Sequence, residues 1–386
     1  MPGSRSLLLG GVAALAVLTP LSACAENEQG ASDGAISVVS TAEDCTLSTD
    51  EVPSGNLVFD VENRGSQVTE FYLLADDGLR IIGEVENIGP GITRKLVVQA
   101  GQGAYITACK PGMVGDGIRS DFTVTKGEAL AVSADVQTLL DTATAQYAAY
   151  VKDQTEQLLT QTEAFATAYL AGRDDEARGL YPRARTHWER IEPVAESFGD
   201  LDPRLDLREA DLEAGQTWTG WHRIEKDLWP QKAEGYTPAT PAERKELADQ
   251  LVADTQELYD RTRTITFTAD QLGNGAKELL DEVATGKVTG EEEIWSGTDL
   301  WDFQANVDGA RIAFENLRPV LEKKDPDLVE TLDGRFTELQ EGLDQFKEGD
   351  GFVTYGELSP DQIKALSDQV NALGEPLSEL TAAVVL

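Results

Sequence analysis

The residues best suited to chemistry are the chain's two histidines, His187 and His222, which lie in one short region rich in carboxylates. His222 and Glu225 are three positions apart, so on a helix their side chains leave the same face one turn apart. An imidazole and a carboxylate in this arrangement can bind one metal ion together. This pair is therefore the first element of a predicted metal site.

Further carboxylates accompany this pair. Glu189 and Glu192 repeat the three-residue spacing, and Asp206 lies between the two pairs in the sequence. Oxygen and imidazole ligands that project from neighbouring helices of a bundle suit iron, manganese or zinc. A glutamate three residues from a histidine also occurs on ordinary amphipathic helices, but the crowding of donors favours a site. The predicted ligands are Glu189, Glu192, Asp206, His222 and Glu225.

The elements that must position these side chains are helices. From residue 127 onward, apolar residues recur at intervals of three, four and seven, as in the series from Tyr147 to Tyr169. Ser359 and Pro360 are typical of an N-cap and a first helical residue. We therefore predict an all-α bundle over residues 127–386, without a strand-like run of any length.

The preceding segment has the pattern of strands. Asn56 to Val61 alternates polar and apolar residues, and similar short runs follow, divided by turns rich in glycine and proline. Several such strands within about ninety residues predict a small β-sandwich over residues 36–126.

The first residues form a targeting segment. Arg5 precedes an apolar stretch, Leu7–Leu18, that is too short to span a bilayer comfortably, and the lipobox-like sequence Leu-Ser-Ala-Cys ends at Cys24. This arrangement predicts a lipoprotein signal peptide over residues 1–23, lipidation of Cys24 and a flexible tether over residues 24–35. The mature protein would then be extracytoplasmic and anchored to the bacterial cell membrane. The alternative is a plain secretory signal with an incidental cysteine.

The charge balance excludes ordinary nucleic-acid binding. The chain has 69 acidic and 32 basic residues and a net charge of -37. Such a surface repels a duplex unless a basic patch is segregated, and the sequence shows no such patch. Because acidic composition by itself usually serves solubility, the metal prediction depends on the spacing of the carboxylates.

Three long motifs resemble a known family. They run from His187 to Asp206, from Gly220 to Lys226 and from Trp301 to Gly309. They are similar to the EfeO family of bacterial EfeUOB iron-uptake systems, whose helical domain belongs to the imelysin, or peptidase M75-like, group. Thr69 to Tyr72 and Cys109 to Met113 are similar to the cupredoxin-like domain of the long EfeO form, so the resemblance covers nearly all of the mature chain.

The resemblance implies a fold and a function. The fold would be multi-domain α and β, with a cupredoxin-like β-sandwich followed by an imelysin-like helical bundle. The protein would bind ferrous or ferric iron at the family's His-x-x-Glu motif, here His222 and Glu225, with Glu189, Glu192 and Asp206 as acidic partners. It would deliver the iron to a membrane permease, alongside a haem peroxidase component. We expect binding without catalysis, because the chain has no His-Glu-x-x-His and no clear general base.

The sulfur residues of the β segment leave two alternatives open. With Cys24 lipidated, Cys45 and Cys109 can form a disulfide in an oxidising compartment. Otherwise they can serve with Met113 as soft ligands for copper, although residues 36–125 contain no histidine and cannot form a type 1 copper centre. A second site, for a hard metal ion, could use the carboxylates of Glu70, Glu84, Glu86 and Asp116. Acidic residues spaced this loosely on a β surface are usually only solvated.

Two other classes of function stay open. The first is a metallo-enzyme on the same scaffold, such as a ferroxidase, a peptidase or an enzyme that extracts iron from haem. A di-iron ferroxidase normally needs Glu-x-x-His on each of two helices, and this chain has one motif of the reversed type. The second is a lipoprotein that captures a non-metal ligand such as a polysaccharide, since a fold does not dictate function.

Overall fold

A computed structural model describes most of the chain, namely residues 34–127, 132–212 and 215–386. The predicted signal peptide, the predicted lipidation site Cys24 and nearly all of the predicted tether lie outside the described residues. Within them, a strand-rich unit precedes a helical unit that runs from residue 134 to residue 385. The predicted fold class, a β-sandwich followed by a helical bundle, is confirmed. The bundle is not purely helical, because the two-residue strands Lys347–Glu348 and Gly351–Phe352 form an antiparallel hairpin within it.

Nine strands lie between residues 36 and 125, all of which the structure describes. They are β1 (Ile36–Ser40), β2 (Cys45–Leu47), β3 (Glu51–Pro53), β4 (Gly55–Asn63), β5 (Thr69–Ala75), β6 (Ile81–Ile88), β7 (Thr93–Ala100), β8 (Gly103–Cys109) and β9 (Ile118–Thr125). One sheet has the order β2-β1-β4-β7, and the other has the order β3-β9-β8-β5-β6. The pairs β1–β4 and β3–β9 are parallel, and the remaining pairs are antiparallel.

The two sheets pack face to face around one apolar core. Along β4, every second side chain is buried, because successive side chains of a strand point to opposite faces. Leu57, Phe59 and Val61 thus meet Phe71 and Phe122 of the other sheet.

A disulfide joins Cys45 of β2 to Cys109 of β8 and so links the two sheets, with Cα atoms 5.6 Å apart. Of the two alternatives left open by the sequence, the structure contains the disulfide. The alternative prediction, a soft copper site formed by Cys45, Cys109 and Met113, is wrong, because a metal-binding cysteine must be a thiolate and both sulfur atoms are in the disulfide. Met113 lies in a short 3₁₀ turn after β8 and is 40% exposed.

The helical unit contains ten α-helices within the described residues. They are α1 (Ala134–Leu170), α2 (Asp174–Glu189), α3 (Leu201–Asp206), α4 (Gly220–Leu228), α5 (Pro241–Thr262), α6 (Ala269–Thr285), α7 (Asp299–Lys324), α8 (Pro326–Asp344), α9 (Pro360–Leu377) and α10 (Leu380–Val385). The predicted start of α9 is present, because the Ser359 hydroxyl accepts a hydrogen bond from the backbone N–H of Gln362. None of the described helices combines the length and apolar character that crossing a bilayer requires.

The two units are in contact through α6, which packs on β6 and β7. The backbone N–H of Gln99 donates to Asp270 Oδ2 at 2.8 Å, and Asn274 Nδ2 donates to the Val97 carbonyl at 2.9 Å. These bonds fix the edge of the sandwich beside the start of α6.

Candidate metal centre

His222 lies at the centre of a buried polar cluster and is 1% exposed. Its Nε2 atom is 3.5 Å from Asp206 Oδ1 and 3.4 Å from Glu292 Oε1. Its Nδ1 atom is 3.4 Å from Glu225 Oε2 and 3.8 Å from Glu293 Oε1. Two groups of ligand atoms therefore share this imidazole, and within each group the atoms lie within 4.8 Å of one another.

A close approach of two helices brings Asp206 to His222. Asp206 is the last residue of α3, and Gly220 is the first residue of α4. Gly220 has a φ of +86°, and a Cβ atom there would lie 2.1 Å from the Leu205 carbonyl oxygen. Only glycine allows this contact and this backbone conformation together, so the end of α3 touches the start of α4. Trp188 Nε1 donates to Asp206 Oδ2 at 2.9 Å and orients this carboxylate.

Glu292 and Glu293 come from the loop before α7. Glu225 holds this loop, because its Oε1 atom accepts hydrogen bonds from the backbone N–H groups of Trp295 at 2.9 Å and Ser296 at 2.6 Å. One oxygen of Glu225 therefore fixes the loop, while the other faces His222. The Ser296 hydroxyl in turn donates to Glu293 Oε2 at 2.7 Å.

Arg185 supplies a fully buried positive charge inside the cluster. Its guanidinium pairs with Asp206 and Glu189, and its Nε atom lies 2.7 Å from Glu293 Oε1 and 3.5 Å from Asp302 Oδ2. One guanidinium thus faces several carboxylates. The excess of negative charge around it is an environment that attracts a further cation.

Glu189 and Glu192 share an ion pair with one buried lysine. Lys287 Nζ lies 3.0 Å from Glu189 Oε2 and 2.8 Å from Glu192 Oε2, and Asn306 Nδ2 donates to both carboxylates. Neither glutamate shares a group of candidate ligand atoms with His222 among the described residues. The structure therefore brings together Asp206, His222 and Glu225 of the predicted set and leaves Glu189 and Glu192 in ion pairs beside them.

The carboxylates around His222 control its protonation. Burial and the charge of Arg185 oppose the imidazolium, but Asp206, Glu225 and Glu292 outweigh them and raise the pKa of His222 to about 10. Burial also disfavours the charged form of Glu292, yet the positive charges of Lys287 and His222 hold its pKa below the usual range. Without a metal, His222 is thus an imidazolium at neutral pH.

The second histidine is separate from this cluster. His187 Nδ1 lies 2.8 Å from Gln154 Oε1, and its Nε2 atom lies 2.7 Å from Gln161 Nε2. Burial, assisted by the charge of Arg190, lowers the pKa of His187 to about 4. It is a neutral imidazole satisfied by two amides.

Sequence reasoning missed Glu292, Glu293, Arg185 and Lys287. The run Glu291-Glu292-Glu293 follows Gly290 in a segment without helical periodicity, so no spacing rule connected it to His222. The run of three acids was the one available signal.

The weakly predicted acidic residues of the sandwich do not together form a group of three candidate ligand atoms among the described residues. Glu70 accepts a hydrogen bond from the Tyr72 hydroxyl at 2.7 Å, and Asp116 is exposed beside Arg119. Glu84 is buried at the contact with the helical unit, and Glu86 lines a cleft between the units. Of these four, only Glu84 belongs to a three-ligand group among the described residues, and its partners come from the helical unit.

A cleft of about 440 Å³ connects the cluster to the surface. Glu86, Asn87 and Met113 line it on the sandwich side, while Asp206 and Glu292 line it on the helical side. Two ligand candidates are therefore reachable from solvent through an acidic cleft.

Comparison with known proteins identifies the relatives of this chain. The imelysin family profile matches residues 143–380. The iron uptake system component EfeO of Escherichia coli K12 is 36% identical over 356 residues, which cover 91% of this chain and 92% of that protein. EfeO of Yersinia pseudotuberculosis is 36% identical over 374 residues, or 96% of each chain.

Among solved structures, a proposed iron-regulated protein A precursor from Parabacteroides distasonis shares the fold, with a TM-score of 0.50 and 16% identity. The match covers 63% of this chain and 95% of that chain. From the extent and the identity of the sequence matches, the chain belongs to the imelysin family and, within it, to the EfeO components of iron uptake systems.

Proposed function

We propose that this protein binds iron outside the cytoplasmic membrane and delivers it to a permease of the uptake system. The observation that carries the proposal is the buried cluster in which one imidazole is surrounded by carboxylates from α3, α4 and the loop before α7. His222 Nε2 is buried between Asp206 and Glu292 and makes no well-aligned hydrogen bond within the described residues, so a metal ion that displaces its proton can bind there.

In this proposal the metal ion binds His222 Nε2 together with Asp206 and Glu292. Glu225 and Glu293 lie at the other ring nitrogen, Nδ1, where Glu225 orients the imidazole. Metal bonds to imidazole and carboxylate are roughly 2.0–2.2 Å long, so neighbouring ligand atoms lie roughly 3 Å apart. The separations of 3.4 Å and 3.5 Å around His222 Nε2 need only a small contraction to reach this spacing. A mixed oxygen and nitrogen set accepts ferrous or ferric iron, and zinc or manganese can occupy it as alternatives.

We expect no catalysis at this site. The chain has one His-x-x-Glu motif and no His-Glu-x-x-His, which is neither the ligand set of a di-iron ferroxidase nor that of a zinc protease. A ferroxidase would show turnover of ferrous iron under oxygen, which separates the enzymatic alternative from simple binding.

The same proposal includes the cellular context. Lipidation at Cys24 would anchor the chain to the membrane, and the permease and a haem peroxidase would be its partners. The sandwich, which we propose to be cupredoxin-like, would stand beside the metal site on the other wall of the cleft.

The test is a metal titration of the mature chain with ferrous salt under anaerobic conditions and with ferric citrate. We expect His222→Ala to weaken iron binding more than about tenfold, since removing even an indirect supporter of a metal ligand costs 10–100-fold. His187→Ala is the matched control, because it removes the other buried imidazole without touching the cluster. Equal affinities in the two variants would remove the site assignment.

A further inference from the structure

Three glutamates meet where the sandwich contacts the helical unit. Glu84 comes from β6, Glu196 from the 3₁₀ segment Glu192–Phe198 and Glu278 from α6. One carboxylate oxygen of each lies within 4.8 Å of those of the other two. Both units of the fold therefore contribute to a single group of oxygen donors, and none of the three glutamates belongs to the His222 cluster.

Among the described residues, no ion pair balances the charge of this group. Glu84 is 6% exposed, and its Oε2 atom is buried without a hydrogen-bond partner among the described residues. In that same part of the chain, no basic side chain forms an ion pair with any of the three carboxylates, and Lys277, the sequence neighbour of Glu278, pairs with Asp281 instead. Burying carboxylates without a cation is costly, because they lose their hydration and repel one another.

The donor types define the ligand. Three carboxylates without an imidazole or a thiolate favour a hard cation that prefers oxygen ligands, such as Mn²⁺, Ca²⁺ or Fe³⁺. The His222 cluster differs in its donor atoms and charge, because it includes an imidazole nitrogen and the buried guanidinium of Arg185.

We propose that Glu84, Glu196 and Glu278 form a second cation site, which joins β6 to α6 and to the 3₁₀ segment. A bound cation holds the sandwich against the helices, since its ligands come from both units. Glu86 of β6 and Glu282 of α6 line the cleft that reaches the His222 cluster, so the same strand and the same helix border both features.

The experiment uses the full mature chain carrying His222→Ala, which disables the proposed iron site, with Mn²⁺ and Ca²⁺ as probes. We expect equilibrium dialysis, read by the electron paramagnetic resonance of free Mn²⁺, to show bound Mn²⁺ and both ions to raise the unfolding temperature. Adding Glu278→Gln or Glu84→Gln should weaken Mn²⁺ binding at least tenfold and abolish the thermal shift. Glutamine keeps the shape of the side chain and removes only the charge, so each variant should still fold.

Glu246→Gln is the matched control, because Glu246 is an exposed glutamate of α5 and its loss changes the net charge equally. It should leave Mn²⁺ binding and the thermal shift unchanged. The proposal is overturned if neither ion binds, which would mean that the three carboxylates only share protons. Equal Mn²⁺ affinity with and without Glu278→Gln would overturn it as well, because the bound ion would then lie elsewhere.

Discussion

His222 Nε2 lies 3.4 Å from Glu292 Oε1, although the two residues are far apart in the sequence. One belongs to α4 and the other to the loop before α7, so the candidate metal centre closes only when this loop is in place. Glu225 provides the connection, because it faces the imidazole with one oxygen and holds the loop backbone with the other.

Glu292 is the missed ligand candidate with the clearest test. We expect Glu292→Gln to weaken iron binding by at least about tenfold, since the amide oxygen carries no charge and binds a metal poorly compared with a carboxylate. Glu291→Gln is the matched control, because Glu291 is half exposed and pairs with Arg208 rather than with His222. A metal titration in which both variants lose the same affinity would show that general charge, and not the position of Glu292, governs binding.

Iron affinity should depend on pH over a wide range. The pKa of His222 is about 10 without metal, so a metal ion must displace one proton from the ring at every pH below that value. We expect affinity to rise about tenfold for each pH unit between pH 6 and 9, and not only across the ordinary histidine range near 6.5. Titrations in non-chelating buffers at constant ionic strength measure this slope, and an affinity that stays level across the window would contradict it.

Much of the fold follows from local patterns that the sequence shows directly. The spacing of His222 and Glu225 predicts a shared helix face, and both residues do face the same cluster on α4. Spacing does not reveal what that face meets. Glu189 and Glu192 have the same spacing, yet both form ion pairs with Lys287, nearly a hundred positions later. Tertiary contacts of this kind carry no periodic signal, so the sequence pattern could not distinguish a ligand from an ion-pair partner.

The stability of the metal-free protein should also depend on pH through His222. Its folded-state pKa of about 10 exceeds the unfolded value of about 6.5, so its stabilising contribution is complete below pH 6.5 and disappears as pH rises to 10. We expect His222→Gln to reduce the loss of unfolding free energy between pH 7 and 10, as measured by urea denaturation. His187→Gln should leave this slope unchanged, because the pKa of His187 is about 4 and it titrates outside the window. If His222→Gln leaves the pH dependence of the unfolding free energy unchanged, His222 is neutral in the folded chain.

Lys287 should be essential for stability. Its ammonium group is buried between Glu189 and Glu192, and removing one partner of a buried ion pair leaves the other charge uncompensated. We expect Lys287→Met to lower the unfolding free energy by about 3–5 kcal/mol. Lys245→Met, which breaks an exposed pair with Asp249, should cost at most about 1 kcal/mol. Denaturant titration of the metal-free variants measures both losses of unfolding free energy. Similar losses in the two variants would show that the buried ion pairs of Lys287 stabilise the fold no more than an exposed pair does.

The disulfide should stabilise the sandwich without affecting the candidate iron site. Cys45 and Cys109 are 64 positions apart in sequence, and closing a loop of that length restricts the unfolded chain. We expect Cys45→Ser with Cys109→Ser to lower the unfolding free energy by about 2–4 kcal/mol. Iron affinity should stay unchanged, because Asp206, His222, Glu225 and Glu292 all belong to the helical unit. Thiol titration of the unreduced mature wild-type chain should find neither cysteine reactive. If the double variant instead loses iron binding while remaining folded, the sandwich takes part in the site, and the assignment of all ligands to the helical unit fails.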